Sequence, residues 1–209
     1  MTGQIVVTGT GTGIGKTVFC AGLAHLLDAH YWKPIQSGLD GETDSETVAR
    51  LGGICQQRIV PERYLLRTPA SPHHSARIDG VRISLDCLSL PAAGMRPLVI
   101  EGAGGLMVPL TEGLLYIDVF ARWRCPVVLC ARTELGTINH SLLSISALRA
   151  YRLDILGVAF VGDENVVSEQ AICEIGQVRS LGRLPLLSPL EPEVLRLAFG
   201  KAFERSNFL

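Results

Sequence analysis

Apolar residues in this chain follow two rhythms. Short β-branched runs at Gln4-Ile5-Val6-Val7-Thr8, Arg96-Pro97-Leu98-Val99-Ile100-Glu101, Pro126-Val127-Val128-Leu129-Cys130-Ala131 and Ile155 to Val161 read as strands. Between them apolar residues recur at helical spacing, as at Val18, Ala21, Leu23 and Leu26. Further helices are expected from Thr43 or Asp44 through Leu51 (ended by Gly52-Gly53), from Ile83 to Leu90, Tyr116 to Trp123, Asn139 to Tyr151, Val166 to Leu181, and Pro192 to about Arg205. His30 to Lys33, stopped by Pro34, and Arg183 to Leu186 read as short strands; Gln56 to Gly80, with Pro61, Pro69 and Pro72, reads as irregular.

Strands alternating with helices predict an α/β fold with a doubly wound, mostly parallel sheet flanked by helices. No repeat or linker interrupts the chain, so residues 1–209 are expected to form a single domain. Ligands of such sheets collect at the carboxyl ends of the strands, which brings positions 9–17, 33–37, 101–105 and 132–139 to one rim.

The rim carries the candidate chemistry. Gly9-Thr10-Gly11-Thr12-Gly13-Ile14-Gly15-Lys16-Thr17 joins the first strand to the first helix. A glycine-rich turn there leaves backbone N–H groups facing one concavity at a positive helix end, a cradle for phosphate. Lys16 can reach the outer phosphates, and the Thr17 hydroxyl can ligate Mg2+. The usual P-loop spacing asks for glycine at position 10, where this chain has Thr10; Gly9 and Gly15 stand one residue further apart than usual. Lys33, in Lys33-Pro34-Ile35-Gln36-Ser37-Gly38, is a second lysine on the expected solvated rim, either stabilising a transferring phosphoryl group or simply ending a strand in water. Glu101 follows Leu98-Val99-Ile100 as a metal-holding carboxylate does at a strand end, with a turn cap as the alternative; Gly102, Gly104 and Gly105 permit close approach of a nucleotide. Asp44 suits a second metal ligand or a helix N-cap equally well. Leu135-Gly136-Thr137-Ile138-Asn139-His140 opens a helix whose start either receives an anion or is capped by Thr137 or Asn139. His73 and His74 read as surface-loop residues.

Composition narrows the field. At 47% hydrophobic and 19% charged the chain is no disordered segment, and its net charge of -1 offers no basic field for nucleic acid. Six cysteines lie scattered without metal-ligand spacing, as in a reducing compartment. The first residues read straight into a strand and no apolar run reaches membrane-spanning length, so no secretory signal and a cytoplasmic location without membrane contact are expected.

In this order, Val7 through Thr17, Lys33 through Gly38, Ser71-Pro72-His73, Glu101-Gly102-Ala103-Gly104-Gly105 and Leu135 through His140 resemble the dethiobiotin synthases, ATP-dependent ligases of biotin biosynthesis. The resemblance implies a homodimeric P-loop enzyme that uses ATP and Mg2+ to join 7,8-diaminononanoate and CO2. A carbamate would be phosphorylated to a carbamic-phosphoric anhydride, and the neighbouring amine would then close the ring. It also implies roles. Gly13, Ile14, Gly15, Lys16, Thr17 and Val18 would hold the nucleotide, together with Gly102, Ala103 and Gly104. Thr17, Asp44 and Glu101 would hold Mg2+. Lys33 would stabilise the carbamate and the moving phosphoryl group, with Lys16 and Thr12 beside the reacting atoms. Ser37 would contact substrate, and Gly136, Thr137, Ile138 and Asn139 would anchor its carboxylate across the dimer interface.

Two positions depart from the family pattern. Gly11 stands where some members carry aspartate, and Val161 where some carry an adenine-reading asparagine. Base recognition would then rest on backbone near Leu184, Pro185 and Leu186 and on Glu191, with weak selectivity for adenine. Two other readings are another P-loop amide-forming ligase and a nucleotide switch of the ParA/MinD type. The switch pattern asks for lysine where Gly11 stands.

Overall fold

Val6, Val7, Val99, Ile100, Val127, Val128 and Leu129 have no exposed surface. Residues this branched and apolar in consecutive positions suit strands covered on both faces, and a parallel sheet with helices on each side supplies that cover. The computed structural model describes residues 3–92 and 94–209; positions 1, 2 and 93 of the single domain expected above lie outside the described residues.

In chain order the elements are β1 (Gln4–Gly9), α1 (Lys16–Leu27), β2 (His30–Trp32), β3 (Ile35–Ser37), α2 (Asp44–Gly52), β4 (Ile59–Val60), β5 (Tyr64–Leu66) and α3 (Pro72–Asp79). There follow β6 (Leu98–Glu101), β7 (Pro109–Thr111), β8 (Leu114–Leu115), α4 (Tyr116–Trp123), β9 (Val127–Arg132), α5 (Thr137–Ala150), β10 (Ile155–Val161), α6 (Val166–Gly176), β11 (Ser180–Leu184) and α7 (Pro192–Ala202). Seven strands form one sheet in the order β11-β10-β9-β1-β6-β2-β4, and every pairing in it is parallel. The chain reverses its winding at β1, which lies between β6 and β9. A crevice opens at such a reversal, beyond the carboxyl ends of the strands. Two small satellite sheets pair β3 with β5 and β7 with β8.

Strand alternation sorts the core into two faces. Ile5, Val7, Tyr31, Val99, Val128 and Cys130 pack with α1, α2 and α7, whereas Val6, Trp32, Ile100 and Val127 pack with α4 on the opposite face. Beyond them on that opposite face, Leu129, Ala131, Val158 and Phe160 meet Ile145 of α5 and Ile172 of α6.

The doubly wound α/β expectation holds, and four segments differ. α6 stops at Gly176 because Gln177 takes a left-handed turn at φ 45°, and the strand expected from Arg183 to Leu186 instead runs from Ser180 to Leu184, taking in the last two residues of the expected helix. Ile83 to Leu90 yields only one 3-10 turn at Leu85–Leu88. Gln56 to Gly80 is more regular than expected: Pro72 occupies the first turn of α3, where a fixed φ favours helix. Thr43, not Asp44, caps α2, and its capping box with Glu46 leaves the Asp44 side chain for other work.

Packing of α1 against α7 is tight at one point. A Cβ on Gly22 would lie 2.2 Å from Cδ2 of Phe199, while one on Gly200 would meet nothing within 4 Å. Gly22→Ala is therefore expected to cost about 1–3 kcal/mol through overpacking. Gly200→Ala is expected to stabilise α7 by about 0.5–1 kcal/mol. Thermal melts of the two variants should shift in opposite directions; a Gly22→Ala melt at or above the parent midpoint would contradict the packing described.

Candidate active site

The register of the sheet assembles the centre. Tyr31 pairs with Val99 and Trp32 with Ile100, so the next residues, Lys33 and Glu101, arrive side by side at the strand ends. Alternation puts both on the face covered by α1, where Thr17 stands in the first helical turn. Glu101 is 1% exposed and Lys33 4%. Lys16 is buried as well, so neither lysine lies on a solvated rim as expected from the sequence; the strands end beneath the glycine loop and α2.

Glu101 receives three donors. Thr17 Oγ1 donates to Oε1 at 2.9 Å, Lys33 Nζ to the same oxygen at 3.0 Å, and the Tyr31 hydroxyl to Oε2 at 2.8 Å. Lys33 Nζ also lies 2.6 Å from Asp44 Oδ2 and 3.4 Å from the Gly102 carbonyl oxygen. Burial would pull the Lys33 ammonium down, but Glu101, then Asp44 and hydrogen bonds to both, outweigh it and hold the group above the ordinary lysine range. Folding thus favours its charged form. That contribution is complete below the ordinary lysine value and is lost only as pH rises past the raised one. Lys16 shifts the other way, lowered chiefly by burial with Glu101 opposing; its Nζ donates to the Gly11 carbonyl at 2.7 Å. Burial and then Glu101 push the Tyr31 phenol well up, so it stays protonated and donates.

A cavity of about 750 Å³ holds these groups together. Thr12 through Val18, Lys33, Ser37, Asp44, Glu101, Ala103 and Gly104 line it, with Pro69 to Pro72 opposite. The Ser37 Oγ is buried without a hydrogen-bond partner among the described residues. The glycines allow close approach: a Cβ on Gly105 would lie 3.2 Å from the Gly9 carbonyl oxygen, and one on Gly9 would strike Ile14. A second cavity of about 390 Å³ shares Gly13, Ile14 and Gly15 with the first and extends past Arg132, Val161 and Asn165 to Leu186.

Other expected residues lie elsewhere. Leu184 is a core residue whose carbonyl accepts from the Gly162 N–H; Pro185 is exposed, and Glu191 is the exposed residue before α7. Gly136, Thr137, Ile138 and Asn139 line neither cavity. Gly136 occupies the N-cap of α5 with no side-chain cap, and Thr137 Oγ1 bonds back to the Arg132 carbonyl. His73 bonds to Ser71 Oγ beside the first cavity and does not line it. The sequence assigns no role to Tyr31, and it places Arg132 on the rim without giving it a partner. Their partners, Glu101 and Gly13, are 70 and 119 residues away in the chain, so no local spacing reveals them.

Among the described residues no three His, Cys, Asp or Glu side chains cluster as a metal cage. A metal that shares its shell with phosphate needs only one or two carboxylates. Thr17, Asp44 and Glu101 offer hard oxygens around a point that already accommodates the Lys33 cation, which fits Mg2+. No helix among the described residues is long and apolar enough to cross a membrane.

A family model described as an AAA domain matches residues 3–194. Among solved structures, the cell division protein MinD of Aquifex aeolicus superposes with a TM-score of 0.56 at 12% identity, covering 96% of each chain. A ParA family ATPase of Chlorobium tepidum gives 0.54 at 11% identity, covering 99% of this chain and 94% of that one. At such identity the likeness is one of fold. Sequence relatives go further. The ATP-dependent dethiobiotin synthetase BioD of Bradyrhizobium diazoefficiens is 66% identical over 209 residues, covering 100% of this chain and 99% of the relative. That of Rhodopseudomonas palustris strain TIE-1 is 65% identical, covering 100% and 98%. With a P-loop sheet beneath and end-to-end identity at this level, the chain belongs to the ATP-dependent dethiobiotin synthetases.

Proposed function

We propose that this synthetase works as one catalytic domain in which Lys16 and Lys33 act on the terminal phosphoryl group of ATP while the diamine lies in the larger cavity. The observation that carries the reading is that Lys16, Thr17, Lys33, Asp44 and Glu101 line the same cavity as the glycine loop, with Thr17 and Asp44 linked through Glu101 and Lys33. One amine of 7,8-diaminononanoate adds to CO2 and loses a proton, giving a carbamate. A carbamate oxygen takes the γ-phosphoryl group, and ADP leaves. The second amine attacks the activated carbonyl carbon; phosphate departs with the C–O electrons, and the nitrogen loses its proton as the ring closes. Proximity of the two amines favours closure. Mg2+, when bound, neutralises charge on the phosphate oxygens, and Thr17, Asp44 and Glu101 would hold it. Lys33 supplies a fixed positive charge where negative charge grows, in surroundings with little water to screen it.

Ser37 Oγ, buried and unpaired, supports a substrate contact. Gly136 to Asn139 point to a homodimer: they face neither cavity of their own protomer, and Leu135 before them is fully exposed, which suits a carboxylate anchor offered to a partner subunit. The smaller cavity suits the nucleoside. Val161 on its wall offers the base no hydrogen bond from its side chain.

Phosphate release from ATP, measured with and without the diamine and bicarbonate, tests the whole reading: release is expected to require both, and equal release without diamine would exclude it. Lys33→Met is expected to lower diamine-dependent release by roughly 10²–10³-fold. It should also cost about 3 kcal/mol of stability, because two carboxylates lose their cation. Wild-type turnover in that variant would remove Lys33 from the mechanism. Ser37→Ala is expected to raise the KM for the diamine with no loss of stability, since the hydroxyl it deletes makes no bond in the free protein; a lower melting midpoint with unchanged KM would contradict this. CTP and GTP should support turnover within roughly 100-fold of ATP, as expected if Val161 on the cavity wall leaves the base without a specific hydrogen bond. Discrimination of about 10⁴ would mean that such bonds exist.

A further inference from the structure

Arg132 is the last residue of β9, two positions beyond Cys130, the register partner of Gly9 where the glycine loop begins. It shares the strand face of Cys130, so its side chain rises on the side of α1 and reaches the loop. Nη2 donates to the Gly13 carbonyl, and Nη1 is 3.3 Å from Glu134 Oε2. Thr137 Oγ1 holds the Arg132 carbonyl, which fixes the backbone from which the side chain springs.

Gly13 has no side chain and a φ of 67°, so its own chemistry leaves the following peptide plane free to turn. In a trans peptide the C=O and the next N–H point in opposite directions. A guanidinium that pins the Gly13 carbonyl on one side therefore aims the Ile14 N–H to the other. That N–H makes no hydrogen bond among the described residues. Lys16 holds the Gly11 carbonyl in the same loop at 2.7 Å, so two of the loop's carbonyls are tied by cations. We infer that Arg132 is a positioning residue for the ATP-dependent reaction: it orients the Gly13–Ile14 peptide so that the Ile14 N–H faces the nucleotide phosphates. The inference rests on the reading of the loop as a triphosphate cradle.

Calorimetric binding of ADP and of adenosine to the full-length chain, with Arg132→Ala and Arg132→Lys, tests it together with the Ile14 amide signal of the nucleotide-free protein. Arg132→Ala is expected to weaken ADP roughly tenfold or more, to weaken adenosine far less although Arg132 also borders the smaller cavity, and to broaden or double the Ile14 amide resonance. Arg132→Lys keeps one donor and should recover most of the ADP affinity, which also covers the case of an alanine variant that folds poorly. Three results would overturn the assignment: unchanged ADP binding, equal losses for ADP and adenosine, or weaker ADP binding with an unaltered Ile14 signal, the last marking direct contact with phosphate. Failure of the wild-type protein to bind ADP would instead remove the cradle itself.

Discussion

A carboxylate with almost no access to water has to be answered by the protein around it, and Glu101 is such a group. Its three donors come from three places: Thr17 at the start of α1, Tyr31 inside β2 and Lys33 just beyond it. Satisfying one buried charge therefore fixes the position of the helix that ends the glycine loop relative to the two strands beside it. Lys33 is in turn shared with Asp44 in the first turn of α2, which draws a fourth element to the same point. The cluster gathers two carboxylates and two ammonium groups, so groups of both signs stand ready for a phosphate chain and a divalent ion, and little of the surroundings has to rearrange.

Around this centre the glycines work by absence. Gly9 and Gly105 let the loop after β1 and the loop after β6 meet at backbone distance, and Gly104 leaves room for the Thr12 hydroxyl 3.3 Å from where its Cβ would be. Gly15 lies against Val161 at the end of β10, where a Cβ would come within 2.8 Å of the valine. The larger cavity and the smaller one thus join across a floor of bare backbone, which suits a ligand whose phosphates lie on glycine and whose remaining parts reach to either side.

Much of this could be read along the chain because it depends on local pattern. The alternation of branched runs with helical spacing predicts a doubly wound, mostly parallel sheet, and the ends of α4 and β10 fall where periodicity puts them. Chemistry carried on consecutive residues, as from Gly9 to Thr17 or Glu101 to Gly105, was equally plain. What depended on pairing between distant segments was not. The burial of Lys33 follows from register, which no spacing within Lys33 to Gly38 discloses. Tyr31 looked like an ordinary strand residue, and Arg132 like the polar end of one. At Asp44 the pattern allowed a cap or a ligand; the Thr43–Glu46 box resolves who caps and leaves Asp44 turned toward Lys33. α6 is shorter than its apolar spacing predicts, because that spacing continues past the left-handed turn at Gln177, a conformation that the sequence marks with no glycine at that position.

The central claim is that Lys16 and Lys33 share one phosphoryl group at the moment it moves. A crystal structure with Mg2+, a non-hydrolysable ATP analogue and the diamine tests it most directly. The account predicts both Nζ atoms within hydrogen-bonding distance of oxygens on the terminal phosphate, with the diamine beside them in the cavity that contains Ser37. A terminal phosphate approached by Lys16 alone, with the Lys33 Nζ out of reach of its oxygens, would contradict it.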